Sequence, residues 1–350
     1  MTSLRNHRTA RVALPIMPPG QRLADTAELA LAAEDAGLDG ISYPELSSDP
    51  LLHLTVAAGV TSRVDLMTNI LVAFARSPMT LAEQARALQD YSGGRLILGL
   101  GSQIKPHIER RFSMPWSAPA ARMDEFVTAL RAIWSAWETG EPLDFNGRFY
   151  THTLMTPMFT PPTERPNPKV FIAAVGEKMC ETAGRSADGM LVHGFSTARY
   201  LEEVTLPALR RGAGGSLPED FEIVDLTFLV TGRTAEERTA SAAAVRRQLA
   251  FYASTPAYLP VLALHGWEDV GHEMHALSRS DRPDRWEVMG ERLPDEVLET
   301  FAVVGDPDEV PRMLVERGAG IVSRYSVNAL GIDDPRLVFR LARGIQEATR

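Results

Sequence analysis

The run Ser92-Gly93-Gly94-Arg95-Leu96-Ile97-Leu98-Gly99-Leu100-Gly101-Ser102 restricts the folds open to this chain more than any other stretch. The glycine pair stops a helix that starts near Pro78, because glycine takes the left-handed conformation on which helices end. Arg95 to Leu98 begin an apolar strand without polar alternation. Such a strand is covered on both faces, as in parallel sheets flanked by helices. Gly99 and Gly101 end it where a second backbone or a flat ligand can come close. Ser102 and Gln103 put polar groups just past its carboxyl end, where ligands bind in folds of this kind.

The same alternation runs through the chain. Eight apolar runs predict strands: Val12–Met17, Gly40–Tyr43, Val64–Ile70, Arg95–Leu100, Val170–Ala174, Met190–His193, Ile223–Val230 and Ile321–Tyr325. Helical patterns follow at Leu23–Ala36, Pro50–Thr61, from Ser77 as cap with Pro78 at the first position, and at Gly176–Ser186, Ala198–Arg210, Ala235–Phe251 and Pro335–Ala348. Eight strand-then-helix units predict an α/β chain with a parallel sheet closing as a (β/α)8 TIM barrel, a fold of roughly 250 residues before insertions. The expected domain is therefore a single barrel over residues 1–350, with insertions after strands four and seven at about 103–168 and 252–305. The first holds a helix over Ala120–Thr139, a hairpin-like turn at Phe145-Asn146-Gly147-Arg148-Phe149 and a proline-rich stretch from Pro157 to Pro168. Both leave from strand carboxyl ends and are expected to roof the barrel mouth.

Composition narrows the function classes. Net charge is −9, which argues against a nucleic-acid partner or an anionic membrane surface, since both need a basic footprint. The basic N-terminus (Arg5, His7, Arg8, Arg11) precedes an apolar run too short for a signal core, and no stretch approaches the ~20 apolar residues of a membrane span. A lone Cys180 rules out an intrachain disulfide and reads as a small apolar helix residue; a cytoplasmic location is expected.

Several motifs have bland readings that weigh more than their functional ones. Gly99-Leu100-Gly101 lacks the third glycine of a dinucleotide fingerprint, because Ile104 stands there. Gly194-Phe195-Ser196-Thr197-Ala198 resembles a nucleophile elbow, with Asp225 and His265 or His272 available as partners, yet Ser196 or Thr197 reads more simply as a helix cap. His265, His272, His275 and Glu273 lack paired-histidine zinc spacing, so no metal is expected. Lys105, His107, Arg110 and Arg111 form either a solvated face or a landing site for an anionic tail. Gly176-Glu177-Lys178 opens a helix whose free amides can bind phosphate. Glu45, Asn69 and His193 end strands two, three and six, where polar side chains enter a barrel mouth; His193 reads equally as a satisfied core histidine.

Taken together, Ala33-Glu34-Asp35-Ala36-Gly37-Leu38-Asp39-Gly40-Ile41, Asp49-Pro50-Leu51-Leu52, Thr61-Ser62-Arg63-Val64, Arg76-Ser77-Pro78, the Ser92–Gly101 run, Phe171-Ile172-Ala173-Ala174, Ala183-Gly184-Arg185-Ser186-Ala187-Asp188-Gly189 and Val304-Gly305-Asp306-Pro307-Asp308-Glu309-Val310 resemble the luciferase-like monooxygenase superfamily, in its coenzyme F420-dependent oxidoreductase branch. Their order and spacing, more than any one of them, carry the resemblance. It implies a reduced flavin or deazaflavin in the barrel mouth, packed on a strand-three bulge made by a non-prolyl cis peptide at Asn69–Ile70. It implies cofactor contacts from Ser102 and a phosphate site at Ala174, Val175, Gly176, Glu177 and Lys178, with Lys105 and its basic neighbours meeting the anionic tail. Sugar-phosphate dehydrogenases of this group carry an acid–histidine pair after strand two and a glutamate after strand four. Here those positions read Glu45-Leu46 and Ile104, so glucose-6-phosphate oxidation by that mechanism is not expected.

The expected function is hydride transfer between coenzyme F420 (an 8-hydroxy-5-deazaflavin) and a small organic substrate. Glu45 is the candidate acid/base or ring-orienting group, and His107 and His193 are candidate polar partners. The alternatives are an FMN-dependent monooxygenase of the same fold fed by a separate flavin reductase, a serine hydrolase using Ser196, and a non-catalytic flavin-binding barrel. A homodimer through barrel helices is compatible with the resemblance.

Overall fold

The computed structural model describes residues 10–16 and 22–350; Met17 and the basic residues Arg5, His7 and Arg8 lie outside the described residues. The strands are β1 (Arg11–Pro15), β2 (Gly40–Tyr43), β3 (Asp65–Thr68), β4 (Leu71–Val72), β5 (Leu96–Gly101), β6 (Phe145–Asn146), β7 (Thr151–His152), β8 (Lys169–Ala174), β9 (Gly189–Val192), β10 (Glu222–Asp225), β11 (Phe228–Val230), β12 (Ala302–Val304) and β13 (Arg324–Ser326). The main sheet runs β3-β2-β1-β13-β10-β9-β8-β5-β4, and β3 also pairs with β5, which closes the cylinder. Its pairings are parallel. Eight strands thus form the expected barrel, with β4 a short continuation of β3.

Unalternating apolar strands follow from this closure. On β8, Phe171 points inward against Met67, Ile97, Leu191 and Val224. Its neighbours Val170 and Ile172 join the larger core beneath the helices. Both faces are dry, so both registers are apolar. Below this inner layer, fully buried Arg324 reaches Asp65 at 2.7 Å and Glu222 at 3.1 Å, and Lys169 meets Glu222 at 2.8 Å. Burial alone would push Glu222 up; Arg324 and Lys169 outweigh it and hold the carboxyl below its usual range.

The helices are α1 (Thr26–Asp35), α2 (Pro50–Val60), α3 (Pro78–Tyr91), α4 (Pro119–Thr139), α5 (Glu177–Ser186), α6 (Ala198–Tyr200), α7 (Leu206–Gly212), α8 (Ala235–Ala253), α9 (Leu259–Ala263), α10 (Glu268–Ser278), α11 (Arg285–Arg292), α12 (Asp295–Phe301), α13 (Val310–Arg317) and α14 (Pro335–Ala348). Ser77 caps α3, its hydroxyl accepting from Thr80 N at 3.1 Å, and Gly93 and Gly94 after it take φ of +71° and +93°.

Six expectations need correction. The helix expected over Ala120–Thr139 is not a roof but a wall helix, packed between α3 and α5. Its stripe Met123, Phe126, Val127, Leu130, Ile133, Trp134 and Trp137 is fully buried, and the barrel wall is what buries so wide a face. Conversely, α8 follows strand seven, as the helix expected over Ala235–Phe251 does, but it does not join the wall. Its Val245, Leu249, Ala250 and Ala253 instead build a separate core with Met274, Met289, Val297 and Phe301. The wall place goes to α13, whose Val310 and Leu314 enter the main core and which packs on α14. The helical unit after strand seven therefore starts at β11, which pairs in parallel with β12, rather than at residue 252.

The strand expected over Ile223–Val230 breaks because Asp225 turns back to accept from Thr227 N (3.1 Å) and its hydroxyl (2.8 Å). The strand expected over Val64–Ile70 ends at Thr68, before the bulge. The helix expected over Ala198–Arg210 widens to a π-turn at Leu201–Thr205, just ahead of Pro207, whose nitrogen has no hydrogen for the regular ladder. The expected hairpin forms, with Phe145 opposite His152 and Asn146 opposite Thr151.

Candidate active site

At the carboxyl end of the barrel, Ile70, Ala173 and Leu226 rest on the inner layer and stay partly exposed, forming an apolar ledge. The peptide Asn69–Ile70 is cis, as the resemblance implies. Close approach to β5 shapes the ledge. A Cβ at Gly99 would lie 2.0 Å from the Thr68 carbonyl oxygen, and one at Gly101 would lie 2.7 Å from Ile70 Cδ1. The Thr68 hydroxyl donates to the Gly99 carbonyl at 2.8 Å, tying the two strands at this level.

The bulge is held from the β2 side. Asn69 N donates to the Tyr43 carbonyl (2.9 Å) and Glu45 N to the Ile70 carbonyl (2.9 Å). The Glu45 carboxylate is buried. Its Oε2 accepts from Val72 N at 2.7 Å and from Arg76 Nη1 at 2.8 Å, while Arg76 Nη2 reaches Asp49 at 2.9 Å. Glu45 therefore ties Ile70 and Val72, on the carboxyl side of the cis peptide, to α3's leading loop. Arg76, which the sequence reading used only as part of a motif, is its partner. The signal was present as an acid after strand two and an arginine just before the α3 cap, but thirty-one residues separate them.

His193 lies inward at the end of β9. Its Nδ1 accepts from Phe195 N at 3.0 Å, and its Nε2 lies 3.3 Å from the Tyr258 hydroxyl. Because a backbone N–H can only donate, Nδ1 is unprotonated and the neutral ring carries its hydrogen on Nε2. Burial pushes His193 down to about 4, so the neutral ring persists at physiological pH. Tyr252 and Tyr258 flank it, with ring centres 4.6 Å and 4.9 Å away. Both tyrosines come from the segment after strand seven and were not singled out from the sequence.

The rim after β5 is basic and polar. Ser102 is half-buried and donates to the Gln103 carbonyl at 3.1 Å. Lys105 is exposed, 3.8 Å from Glu109. His107 opens a π-turn on the exposed side of this loop, and its ring has no hydrogen-bond partner among the described residues. Arg111 is committed to the Leu46 carbonyl, which latches the rim to the β2 loop. Arg122, buried beneath, stacks on Phe74 at 4.6 Å and donates to the Tyr150 hydroxyl at 2.8 Å, so loop, hairpin and α4 form one unit.

At the α5 terminus, Ala174 faces the main core, so only its backbone is available to the mouth. The Val175 carbonyl accepts from the Tyr200 hydroxyl at 3.3 Å. Gly176 is the exposed N-cap residue, with open space where a Cβ would stand. The Glu177 carboxylate would oppose an anion there, but it pairs with Arg211 at 2.7 Å, while Lys178 is exposed and makes no ion pair among the described residues. Cys180 is buried and pushed up to about 12, chiefly by burial, in line with an inert packing role.

Glu45, Asn69, Ile70 and His193 thus all follow barrel strands at their carboxyl ends, whereas His107 lies on the exposed loop after β5. The structure does not assemble a hydrolase triad. Thr197 caps α6 and pairs with His265 at 2.9 Å, and Asp225 is bonded to Thr227. His275 donates Nδ1–H to the Ser254 carbonyl and Glu273 pairs with Arg292; no metal-holding group occurs among the described residues. Nor is any described helix long and apolar enough to cross a membrane.

The closed parallel sheet with helices outside it defines a (β/α)8 barrel protein. The luciferase-like monooxygenase family profile matches residues 5–323, and the chain belongs to that family. It is 53% identical over 306 residues to an uncharacterised protein of Mycobacterium tuberculosis, covering 87% of this chain and 89% of the relative. It is 31% identical over 314 residues to a provisionally named coenzyme F420-dependent oxidoreductase of the same organism, covering 84% and 88%. The solved coenzyme F420-dependent tetrahydromethanopterin reductase of Methanopyrus kandleri superposes with a TM-score of 0.80 at 20% identity, covering 98% of this chain and all of that one, which supports the fold.

Proposed function

We propose that this protein is an oxidoreductase that binds coenzyme F420 in the barrel mouth and exchanges hydride between it and a small organic substrate. The observation that carries the reading is the pairing of an apolar ledge (Ile70, Ala173, Leu226) with an open helix start at Gly176, a floor for a flat ring and a seat for its phosphate. The choice of deazaflavin over FMN is supported by the relative at 31% identity and by Lys178 and Arg110, cations unpaired among the described residues that suit a polyanionic tail. When bound, F420 supplies a ring carbon that gives up or takes hydride.

The chain's own residues then orient and shield. Glu45 and Arg76 fix the bulge that sets ring height. Ser102 and Gln103 line the rim, and the aromatic wall keeps water from the reacting face. Glu45 acts here by orienting, since its Oε2 already serves two donors. His107, on the outer side of the rim loop, suits tail contact better than a role at the reacting carbon.

Fluorescence titration of the purified protein with F420 and with FMN tests the choice. Binding of F420 in the micromolar range, with FMN at least tenfold weaker, is expected. FMN binding with none of F420, joined to oxygen consumption that depends on reduced FMN, overturns it in favour of a monooxygenase served by a separate reductase.

A further inference from the structure

The corner of the mouth at the end of β9 has its own chemistry. His193, with Nδ1 occupied by Phe195 N, directs its single N–H at the Tyr258 oxygen. A phenol oxygen that accepts from that side keeps its own hydrogen for another direction, and no acceptor among the described residues takes it. Tyr258 is only partly exposed, and its ring lies tilted against His193 (4.9 Å) and Phe195 (5.7 Å) and edge-on to Tyr252 (6.1 Å). The rings of the cluster are all neutral.

We propose that Tyr258 is the substrate-polarising donor of this site: its hydroxyl, oriented by His193, donates a hydrogen bond to the carbonyl oxygen of an uncharged aromatic or apolar ketone or aldehyde lying along the Tyr252–Tyr258 wall. The inference rests on the mouth being the active site. A neutral donor among aromatic rings matches a carbonyl oxygen better than a carboxylate, which would leave its charge uncompensated there. Burial and the neighbouring Tyr252 push Tyr258 up to about 12, so it remains a donor across the neutral range. Within the pair, Tyr258 touches the ligand and His193 is a positioning residue.

The probe is acetophenone labelled with carbon-13 at the carbonyl, added to the full-length protein and followed by NMR, with F420 binding measured separately. The expected result is saturable binding with a downfield carbonyl shift. Tyr258→Phe should abolish the shift and weaken binding about three- to tenfold, the worth of one neutral hydrogen bond. Tyr252→Phe, which removes the neighbouring hydroxyl from the same wall, should keep the shift. Nitrogen-15 spectra should show His193 protonated on Nε2 alone. An unchanged carbonyl shift in folded Tyr258→Phe, a His193 ring protonated on Nδ1, or no saturable binding of the probe each overturns the proposal. Probe binding that depends on Tyr258 without any F420 binding would instead defeat the cofactor reading and leave this subsite standing.

Discussion

Removing the Glu45 carboxylate tests how the third-strand bulge is held. Glu45→Ala leaves Val72 N, a donor in a fully buried stretch, without its 2.7 Å partner. An orphaned buried donor costs ~1–3 kcal/mol. The same change takes from Arg76 a 2.8 Å ion pair in which both side chains are at most 12% exposed. Breaking a buried pair costs ~3–5 kcal/mol, but Arg76 keeps Asp49 at 2.9 Å and the Val72 carbonyl at 3.0 Å, so only part of that is lost. The sum expected for Glu45→Ala is about 3 kcal/mol. Glu45→Gln keeps one oxygen as acceptor and should lose about 1 kcal/mol. Equilibrium urea unfolding at unchanged m-value measures both, and F420 titration should show weaker binding in the same order. A Glu45→Ala protein within ~0.5 kcal/mol of the parent, the range of an ordinary surface change, would refute the clamp. A Glu45→Gln protein of full stability and full cofactor affinity but without turnover would make Glu45 an acid/base group instead.

Three other outcomes are expected. His193 has a depressed folded-state pKa of about 4 against about 6.5 when unfolded, so its neutral burial stabilises the fold above pH 6.5 and that contribution is lost as pH falls towards 4. The loss sums to about 3 kcal/mol, and His193→Phe should flatten the pH dependence of urea midpoints over that window; an unchanged slope would count against neutral burial. Gly99→Ala should cost more than ~2 kcal/mol, because its Cβ meets the Thr68 carbonyl, whereas Gly101→Ala meets the Ile70 side chain, displaces it from the ledge and should instead weaken cofactor binding. Lys178→Ala should weaken F420 about five- to tenfold, roughly 1 kcal/mol of charge-assisted bonding, and leave a tailless deazaflavin unaffected; equal losses for both would remove Lys178 from the phosphate site.

The barrel was legible because its determinants are local. A both-faces-buried strand, a serine cap before proline and a glycine pair after a helix each state their own geometry, and eight repetitions leave few closed arrangements. The failures occurred where local pattern is silent about destination. An amphipathic helix buries its stripe equally well against a barrel wall or against other helices, so α4 and α8 exchanged roles. What separates them is tertiary: α13 already fills the seventh wall place, and α8 finds Met274, Met289 and Phe301 to cover it. The site divides the same way. Glu45, Asn69, Ile70 and His193 end strands and could be placed by counting. Arg76 and Tyr258 could not, because each matters only through a partner thirty-one or sixty-five residues away. Tyr258 itself comes from the segment after strand seven, while the ledge belongs to the barrel itself. A chain that keeps the ledge and varies that segment keeps its ring-binding floor while changing the group presented to the substrate. Exchange of residues 254–301 between relatives should therefore alter which carbonyl probe binds and leave F420 affinity within about threefold, since the ledge, clamp and α5 terminus all lie outside the exchanged piece.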